Sequence, residues 1–271
     1  MPKKFAVLGN PIVHSQSPAI HQAFAAQFGI KLSYERILVP LDQLAEVLHQ
    51  FQKNGGQGVN ITVPFKIEAF PLIANKTARA TKAGAINTIA FNHNACLGDN
   101  TDGIGLLRDL TQNHELDLTD QRILILGAGG ATKGILQALL SAKPASITIA
   151  NRTLITAEKL VADFSDLGHC SACNLNQIPD QPFDLIINAT SAGVKGELLA
   201  LAEPIVNNSI CYDLAYGSAA QPFLNWAKQG GAINYYDGLG MLVEQAAEAF
   251  YIWHQLMPAT KPVIKLLRAK L

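Results

Sequence analysis

The chain has 271 residues, of which 49% are hydrophobic and 15% charged, a composition that supplies a core and excludes a disordered protein. Its 21 basic residues balance 21 acidic ones, so neither nucleic acid nor an anionic membrane is expected as a partner. No apolar run approaches the ~18 residues of a membrane span, and the first run ends at Asn10-Pro11, too early for a secretory signal. Four cysteines are too few for a disulfide scaffold. We therefore expect a soluble, cytoplasmic protein of one or two domains.

Short apolar runs alternate with helical patterns along the first hundred residues. Strands separated by helices favour βαβ units and a mostly parallel sheet. The predicted strands are 5–8, 32–39 and 58–62, followed by a hairpin of 86–91 and 95–97 around Asn92-His93-Asn94.

Two helices are predicted between these strands. The first runs from Ser17 to about Phe28, with Ser17 as the N-cap and Pro18 at the first helical position. The second follows Asp42 as its cap, has apolar residues at helical spacing and ends at Asn54-Gly55-Gly56.

A second α/β block begins after the polar stretch 113–121. Its first strand, 122–126, is an unbroken apolar run, which is typical of a strand buried on both faces. A helix from about Asp102 to Asn113 is predicted to connect the two blocks. Further strands are predicted at 146–150, 184–187 and 209–212.

A glycine-rich turn follows the strand 122–126 and reads Gly127-Ala128-Gly129-Gly130-Ala131. Glycines permit a tight turn, and the N-terminus of the next helix presents N–H groups to a pyrophosphate. The match to G-x-G-x-x-G is imperfect because Thr132 occupies the sixth position. Dinucleotide binding and an ordinary tight turn are both consistent with the segment, and its strand–turn–helix context favours the former.

The strand after this helix is followed by Asn151-Arg152-Thr153. An NAD site usually carries an acidic residue here, which holds the ribose 2′-hydroxyl. A guanidinium suits a 2′-phosphate instead, through paired, charge-assisted hydrogen bonds. The sequence therefore favours NADP, with a surface arginine beside a turn as the alternative interpretation.

Five short segments are spread, in a fixed order, over nearly the whole chain: Gly9-Asn10-Pro11-Ile12-Val13-His14-Ser15-Gln16-Ser17-Pro18, Asn60-Ile61-Thr62-Val63-Pro64-Phe65-Lys66, Gly84-Ala85-Ile86-Asn87-Thr88, Gly98-Asp99-Asn100-Thr101-Asp102-Gly103, and the glycine turn with Asn151-Arg152-Thr153. Together they resemble the shikimate dehydrogenase family. The resemblance implies an α/β fold with an N-terminal α/β substrate domain (1–102), a Rossmann dinucleotide-binding domain that takes NADP (103–237) and C-terminal helices (238–271) that return to the substrate domain.

The resemblance also implies an activity, the NADPH-dependent, reversible reduction of 3-dehydroshikimate to shikimate in chorismate and aromatic amino-acid biosynthesis. A homodimer is expected on the same ground. Two alternative functions stay open. An NAD-dependent quinate/shikimate dehydrogenase is disfavoured by Arg152 and the missing acidic residue. A non-catalytic nucleotide-binding regulator is disfavoured by the intact Lys66 and Asp102.

Lys66 and Asp102 are the implied catalytic pair. Hydride addition to a ketone leaves an alkoxide, which needs a proton donor within hydrogen-bond reach. A desolvated lysine serves as this donor, and an adjacent carboxylate orients it and binds the hydroxyl being formed. The alternative for Lys66 is a solvated lysine at a helix start, which the helix dipole disfavours. The alternative for Asp102 is an N-cap of the connecting helix.

The substrate contacts are also implied by resemblance. Ser15 and Ser17 flank a helix start, where hydroxyls and free N–H groups suit a carboxylate. Helix capping alone explains Ser17 well and Ser15 poorly, and turn chemistry alone is the alternative for Thr62 and Asn87. The implied substrate-binding residues are Ser15, Ser17, Thr62, Asn87, Asp102, Tyr216 and Gln245.

The implied cofactor contacts extend from the glycine turn to the nicotinamide side. Thr156 stands where the family often carries Lys or Arg, so one phosphate contact is expected to be missing. Thr190, Leu214 and Gly238 are expected to line the nicotinamide. The full set is Gly127, Ala128, Gly129, Gly130, Ala131, Asn151, Arg152, Thr153, Thr156, Thr190, Leu214 and Gly238.

His169 precedes Cys170-Ser171-Ala172-Cys173, a pattern that invites a metal interpretation. A structural zinc site needs four ligands, and no second C-x-x-C occurs in the sequence, where Cys96 and Cys211 are isolated. We therefore expect no metal site, and cysteines that pack as small apolar residues near a strand.

Overall fold

The computed structural model describes residues 2–91, 96–192 and 203–271. The chain divides into two compact units, which we call the first unit (1–105 with 242–270) and the second unit (106–241 with Leu271). Each is described separately below.

The first unit contains a mixed sheet with strand order β2-β1-β3-β5-β6-β4. β1 pairs in parallel with β2 and β3, whereas β5 pairs antiparallel with β3 and β6. The carboxyl ends of β1, β2 and β3 therefore share one edge of the sheet. The strands are β1 (Lys3–Gly9), β2 (Leu32–Leu38), β3 (Gly56–Ile61), β4 (Asn75–Lys76), β5 (Thr88–Phe91) and β6 (Cys96–Asp99).

Helices and a continuous apolar core complete the first unit. Leu8, Val59 and Ile61 of the sheet pack with Leu44 and with Phe65 in one buried cluster. The helices are α1 (Ser17–Gln27), α2 (Leu44–Lys53), α3 (Ala69–Leu72), α4 (Ala78–Ala83), the beginning of α5 (Asp102–Arg108), most of α9 (Leu239–His254) and α10 (Lys261–Arg268).

Two details of the first unit differ from the sequence-based expectations, and a third agrees with them. The N-cap of α1 is Gln16, and Ser17 is already helical. Asp42 has a left-handed backbone (φ 65°) and the N-cap of α2 is Gln43, so the predicted cap is wrong. The antiparallel pairing of the predicted hairpin is confirmed from Phe91↔Cys96 onward, while its tip at 92–95 lies outside the described residues.

The second unit is built on a parallel sheet with strand order β12-β11-β10-β7-β8-β9. The chain builds outward from β7 to β9, then returns beside β7 with β10, so a topological switch point lies between β7 and β10. The strands are β7 (Arg122–Leu126), β8 (Ser146–Asn151), β9 (Cys170–Asn174), β10 (Leu185–Asn188), β11 (Ile210–Asp213) and β12 (Asn234–Asp237).

Apolar clusters cover both faces of this sheet, as the unbroken apolar run of β7 predicts. Ile123 and Ile125 pack in one cluster, and Leu124 and Leu126 pack in another. The helices are α6 (Gly130–Ser141), α7 (Leu154–Phe164) and α8 (Gln221–Gln229), and the predicted connecting helix is α5 continued by a π-helical segment (Asp109–Asn113). Within the described ranges, no helix combines the length and apolar character needed to cross a membrane.

Candidate active site

An ion pair joins Lys66 and Asp102. Lys66 Nζ lies 2.6 Å from Asp102 Oδ2, and the two side chains are 30% and 12% exposed. Lys66 lies in the turn after β3, where its carbonyl oxygen accepts a hydrogen bond of 2.8 Å from the Ile86 N–H. The alternative of a solvated lysine at a helix start is therefore wrong. Asp102 is the first residue of α5 and not the N-cap before it, so that alternative is wrong as well.

Amide groups surround the carboxylate of this pair. Asn87 Nδ2 donates to Asp102 Oδ1 at 2.8 Å, while Asn87 Oδ1 accepts a bond of 2.9 Å from the Thr101 N–H. Gln245 Oε1 lies 3.5 Å from Asn87 Nδ2 and 3.4 Å from Thr101 Oγ1. The structure thus brings Lys66, Asp102, Asn87 and Gln245 into one polar cluster. Thr101 belongs to it too, although the sequence-based candidates omit it.

Ser15 and Ser17 contact each other at the start of α1. Ser15 Oγ accepts a bond of 3.3 Å from the Ser17 N–H and lies 3.2 Å from Ser17 Oγ. The capping role expected of Ser17 is therefore wrong, and it is the Ser15 side chain that bonds an N–H of the first turn. Arg36 of β2 donates two bonds, of 2.9 and 2.6 Å, to the Ser15 carbonyl oxygen. This arginine places a positive charge beside the two hydroxyls, and no sequence motif singled it out.

Thr62 follows β3 at the shared edge of the sheet. Its N–H donates to the Leu8 carbonyl at 2.9 Å. A Cβ at the neighbouring Gly9 would lie 2.4 Å from Thr62 Cγ2, so the end of β1 needs glycine to make room for the threonine. In the described part of the chain, neither Thr62 nor the two serines form a direct side-chain hydrogen bond to the cluster around Asp102.

The glycine turn of the second unit forms an open cradle. Gly127 has φ 101°, a left-handed conformation that side chains disfavour. A Cβ at Gly129 or at Gly130 would meet no atom within 4 Å among the described residues. Gly129 is the N-cap of α6 and has no side chain that could occupy the first N–H groups of the helix. Thr132 is buried and donates to the Gly127 carbonyl at 2.7 Å, which explains why the sixth position of the motif is not glycine.

The end of β8 lies beside this turn. Asn151 Oδ1 accepts a bond of 3.3 Å from the Ala128 N–H, and Asn151 Nδ2 donates to the Thr153 carbonyl at 3.0 Å. The Arg152 and Thr156 side chains are exposed, and Thr156 lies in the first turn of α7. Asn174 of β9 donates to the Arg152 carbonyl at 3.2 Å, a support that the sequence did not predict. An open cradle followed by an exposed arginine fits a dinucleotide that carries a 2′-phosphate.

The carboxyl ends of β10, β11 and β12 carry the remaining expected cofactor contacts. Asn188 Oδ1 accepts bonds from the Thr190 N–H and Oγ1 at 3.1 and 2.7 Å, and the Asn188 carbonyl accepts a bond of 3.0 Å from the Leu214 N–H. A Cβ at Gly238 would lie 2.3 Å from the Leu214 carbonyl oxygen, so this approach requires glycine. Thr190, Leu214 and Gly238 are therefore neighbours.

A buried carboxylate that the sequence did not assign also lies here. Asp213 Oδ2 accepts a bond of 2.8 Å from Asn188 Nδ2. Burial raises the pKa of Asp213 to about 6, against the opposing hydrogen bonds from the Ala215 N–H and Asn188. Asn188 and Asp213 are each the last residue of an apolar strand, and this position is the sequence feature that could have marked them as candidate site residues. Tyr216 is partly buried, and burial raises the pKa of its phenol.

Cys170 and Cys173 lie on opposite faces of β9. Cys170 packs against the apolar cluster of Ile123, and Cys173 packs against the cluster of Leu124. Residues three positions apart on a strand point to opposite faces of the sheet, so the Cys170 and Cys173 thiols cannot bind the same metal ion. Burial raises the pKa of Cys170 to about 11 and also raises that of Cys173. The described residues contain no group of three or more side chains placed to hold a metal ion.

A parallel sheet of this order, with an open glycine cradle after its central strand, is the arrangement of oxidoreductases that use a dinucleotide. Three family profiles match the chain: the shikimate dehydrogenase substrate binding domain over residues 7–89, shikimate/quinate 5-dehydrogenase over 109–199, and the shikimate 5′-dehydrogenase C-terminal domain over 238–268. The chain belongs to the shikimate dehydrogenase family.

Individual relatives match over the full length. The shikimate dehydrogenase (NADP(+)) of Alkalilimnicola ehrlichii is 48% identical over 99% of both chains. Among solved structures, an Ael1 enzyme from Pseudomonas putida is similar with a TM-score of 0.94 and 40% identity over 98% of both chains. The shikimate 5-dehydrogenase of Thermus thermophilus, in complex with NADP(H) and shikimate, has a TM-score of 0.88 and 30% identity over 99% of this chain and 100% of that one.

Proposed function

We propose that this protein catalyses the NADPH-dependent, reversible reduction of 3-dehydroshikimate to shikimate, a step of chorismate and aromatic amino-acid biosynthesis. The observation that carries the proposal is the ion pair between Lys66 and Asp102, within a cluster of amide groups. Relatives named shikimate dehydrogenase (NADP(+)) at 48% and 47% identity support the same substrate and cofactor.

The reacting oxygen is the centre of the proposed mechanism. NADPH, when bound, supplies the hydride that adds to the carbonyl carbon. Negative charge then develops on the carbonyl oxygen, and Lys66 Nζ donates the proton that converts it to a hydroxyl. Asp102 keeps the ammonium group oriented at 2.6 Å and accepts a hydrogen bond from the new hydroxyl. In the reverse direction, Lys66 takes this proton back.

The other polar residues of the first unit hold the substrate in this proposal. Ser15 and Ser17 bind its carboxylate, and the Arg36 guanidinium on the Ser15 carbonyl makes that region favourable for an anion. Thr62, Asn87 and Gln245 bind ring hydroxyls. Tyr216 of the second unit is also assigned to the substrate, on the family resemblance alone.

The second unit holds the cofactor. The glycine turn and the first N–H groups of α6 bind the pyrophosphate, because glycines leave the backbone accessible there. Asn151, Arg152, Thr153 and Thr156 bind the ribose and its 2′-phosphate, with Arg152 supplying the charge. The residues that would line the nicotinamide are Thr190, Leu214 and Gly238.

Location and assembly follow from the same proposal. We place the enzyme in the cytoplasm, where thiols stay reduced, and Cys96, Cys170, Cys173 and Cys211 are free thiols. A homodimer is expected from the family resemblance, and light scattering of the purified protein tests it.

A steady-state assay with shikimate and quinate, each with NADP and with NAD, tests the proposed function. We expect the highest kcat/KM for shikimate with NADP. A preference for quinate with NAD supports the alternative dehydrogenase instead. If none of the four combinations turns over while NADP still binds in a calorimetric titration, the non-catalytic regulator is the correct interpretation.

A further inference from the structure

A continuous chain of buried hydrogen bonds ends at Asp102. Tyr34 Oη donates to Asn60 Oδ1 at 2.7 Å, and Asn60 Nδ2 donates to Thr88 Oγ1 at 3.1 Å. Thr88 Oγ1 donates to Asn87 Oδ1 at 2.9 Å, and Asn87 Nδ2 donates to Asp102 Oδ1 at 2.8 Å. All five side chains belong to the first unit and are buried, so these bonds are protected from exchange with water.

The direction of each bond is fixed by groups that can only donate or only accept. Asn60 Nδ2 also donates to the Asn87 carbonyl at 3.2 Å, so Asn60 Oδ1 faces the Tyr34 hydroxyl. The Thr101 N–H donates to Asn87 Oδ1, so Asn87 Nδ2 faces Asp102. Every donor in the chain therefore points toward Asp102, and aligned hydrogen bonds strengthen one another.

The vulnerable element in this arrangement is the Asn87 amide. Rotation of the amide by half a turn would place Asn87 Oδ1 against the Asp102 carboxylate, where two acceptors repel each other. The Thr88 hydroxyl opposes this rotation because it donates to Asn87 Oδ1. Asn60 holds the Thr88 hydroxyl in the donating orientation, and Tyr34 holds Asn60.

We propose that Tyr34, Asn60 and Thr88 are positioning residues that hold the Asn87 amide against Asp102 and so keep the Lys66–Asp102 pair in its reactive arrangement. This inference rests on the proposed function, because it assigns the pair to catalysis. The three residues act through Asn87 and leave the proton transfer itself to Lys66.

Two substitutions at Thr88 separate the hydroxyl from the shape of the side chain. Thr88→Val keeps the shape and removes the donor, whereas Thr88→Ser keeps the donor. Since one buried hydrogen bond is at stake, we expect Thr88→Val to lower kcat for shikimate oxidation by about fivefold to tenfold. The shikimate KM should change less than kcat, and Thr88→Ser should stay within about twofold of the unmodified enzyme. Equal kcat values for the two variants would overturn the proposal.

Substitution of Tyr34 tests the far end of the chain of hydrogen bonds. Tyr34→Phe removes the first donor and should lower kcat by about threefold. Tyr251→Phe is the matched control, because Tyr251 is an exposed tyrosine of the same unit, and its kcat should not change. If Tyr34→Phe lowers the thermal midpoint but leaves kcat at 25 °C unchanged, the residue is only structural and the proposal fails.

A double-mutant cycle shows whether the effect passes through Asp102. In an Asp102→Asn background, Thr88→Val should lower the residual kcat by less than about twofold. The carboxylate that Thr88 helps to position is already absent in this background. A loss as large as in the unmodified background would overturn the proposal. The proposed function fails separately, if the unmodified enzyme does not oxidise shikimate with NADP at all.

Discussion

Lys66 Nζ lies 2.6 Å from Asp102 Oδ2 although 36 residues separate them along the chain. Both backbones are anchored beside this contact. The Lys66 carbonyl accepts a bond from the Ile86 N–H at 2.8 Å, and the Asp102 N–H donates to Asn100 Oδ1 at 3.1 Å. Because both backbones are already fixed, formation of the pair costs only side-chain entropy, which favours a fixed ion pair over a fluctuating one.

Lys66→Ala should therefore act on the chemical step. The variant removes the proton donor, and general acid–base groups contribute roughly 10²–10⁴-fold. We expect kcat for shikimate oxidation to fall within that range while the shikimate KM changes far less. Lys53→Ala, at an exposed lysine of the same unit, is the control and should retain full activity. A Lys66→Ala variant with near-normal kcat would remove Lys66 from the mechanism.

Arg79 should be important for stability. Its guanidinium donates two bonds to Asp99, at 2.7 and 2.6 Å, and one to Glu248 at 2.8 Å. The Asp99 and Glu248 side chains are only 4% and 11% exposed. Arg79→Met removes the guanidinium that pairs with these two buried carboxylates, so we expect the free energy of unfolding to fall by about 3 kcal/mol in urea titration.

The matched control for this prediction is Arg122→Met. Arg122 pairs with Asp184 in the second unit, but these side chains are 39% and 36% exposed. An exposed pair contributes at most about 1 kcal/mol, so the control should lose much less stability. Equal losses in the two variants would contradict the importance assigned to burial.

His21 should make the first unit sensitive to acid. The ring is fully buried and stacks on Tyr34, with ring centroids 4.5 Å apart. Burial lowers the pKa of His21 to about 3, and the nearby His254 lowers it further by a smaller amount. An unfolded histidine has a pKa near 6.5, so between pH 6.5 and about 3 only the unfolded chain binds this proton. Above pH 6.5 His21 does not make the free energy of unfolding depend on pH. Below pH 6.5 it makes this free energy fall by about 1.4 kcal/mol per pH unit as the pH is lowered.

The slope of unfolding free energy against pH measures this contribution. His21→Phe should give a shallower slope between pH 6 and 4, whatever its stability at pH 7. His49→Phe replaces an exposed histidine of α2 and should keep the original slope. Some slope should remain in His21→Phe, because burial also lowers the pKa of His254, to about 4. Identical slopes for the two variants would show that His21 does not cause the acid sensitivity.

The sequence predicted those parts of the fold in which local pattern and tertiary packing agree. β7 occupies 122–126 as predicted, because burial on both faces requires the unbroken apolar run. The predicted cap at Asp42 failed because its left-handed backbone is incompatible with an N-cap. The antiparallel pairing of β3 with β5 was missed, because it depends on contacts between segments far apart in the chain.

The same limit applies to the site. Lys66, Asp102 and the serines lie in short motifs, so the resemblance to the family was enough to propose them. Arg36 acts through the Ser15 carbonyl, 21 residues away, and Tyr34 reaches the site through Asn60, 26 residues away. These supporting contacts depend on strand register, and a strand arginine or tyrosine has no local signature of such a role.

Cofactor choice should depend mainly on Arg152. Its guanidinium is exposed beside the glycine turn, and its charge-assisted hydrogen bonds to a 2′-phosphate contribute roughly 1.5–3 kcal/mol. Thr156, in the first turn of α7, adds only a neutral hydroxyl at the position where the family resemblance leads us to expect a second cation. At about 1.4 kcal/mol per decade of affinity, Arg152 supports a preference for NADP over NAD of about tenfold to hundredfold.

Arg152→Ala should remove most of this preference by raising the KM for NADP, and Thr156→Arg should widen the preference. Lys159→Ala, at an exposed lysine of α7, is the control and should leave the preference unchanged. The measurement is kcat/KM for both cofactors on all four proteins, and equal use of NAD and NADP by the unmodified enzyme would rule out the role assigned to Arg152.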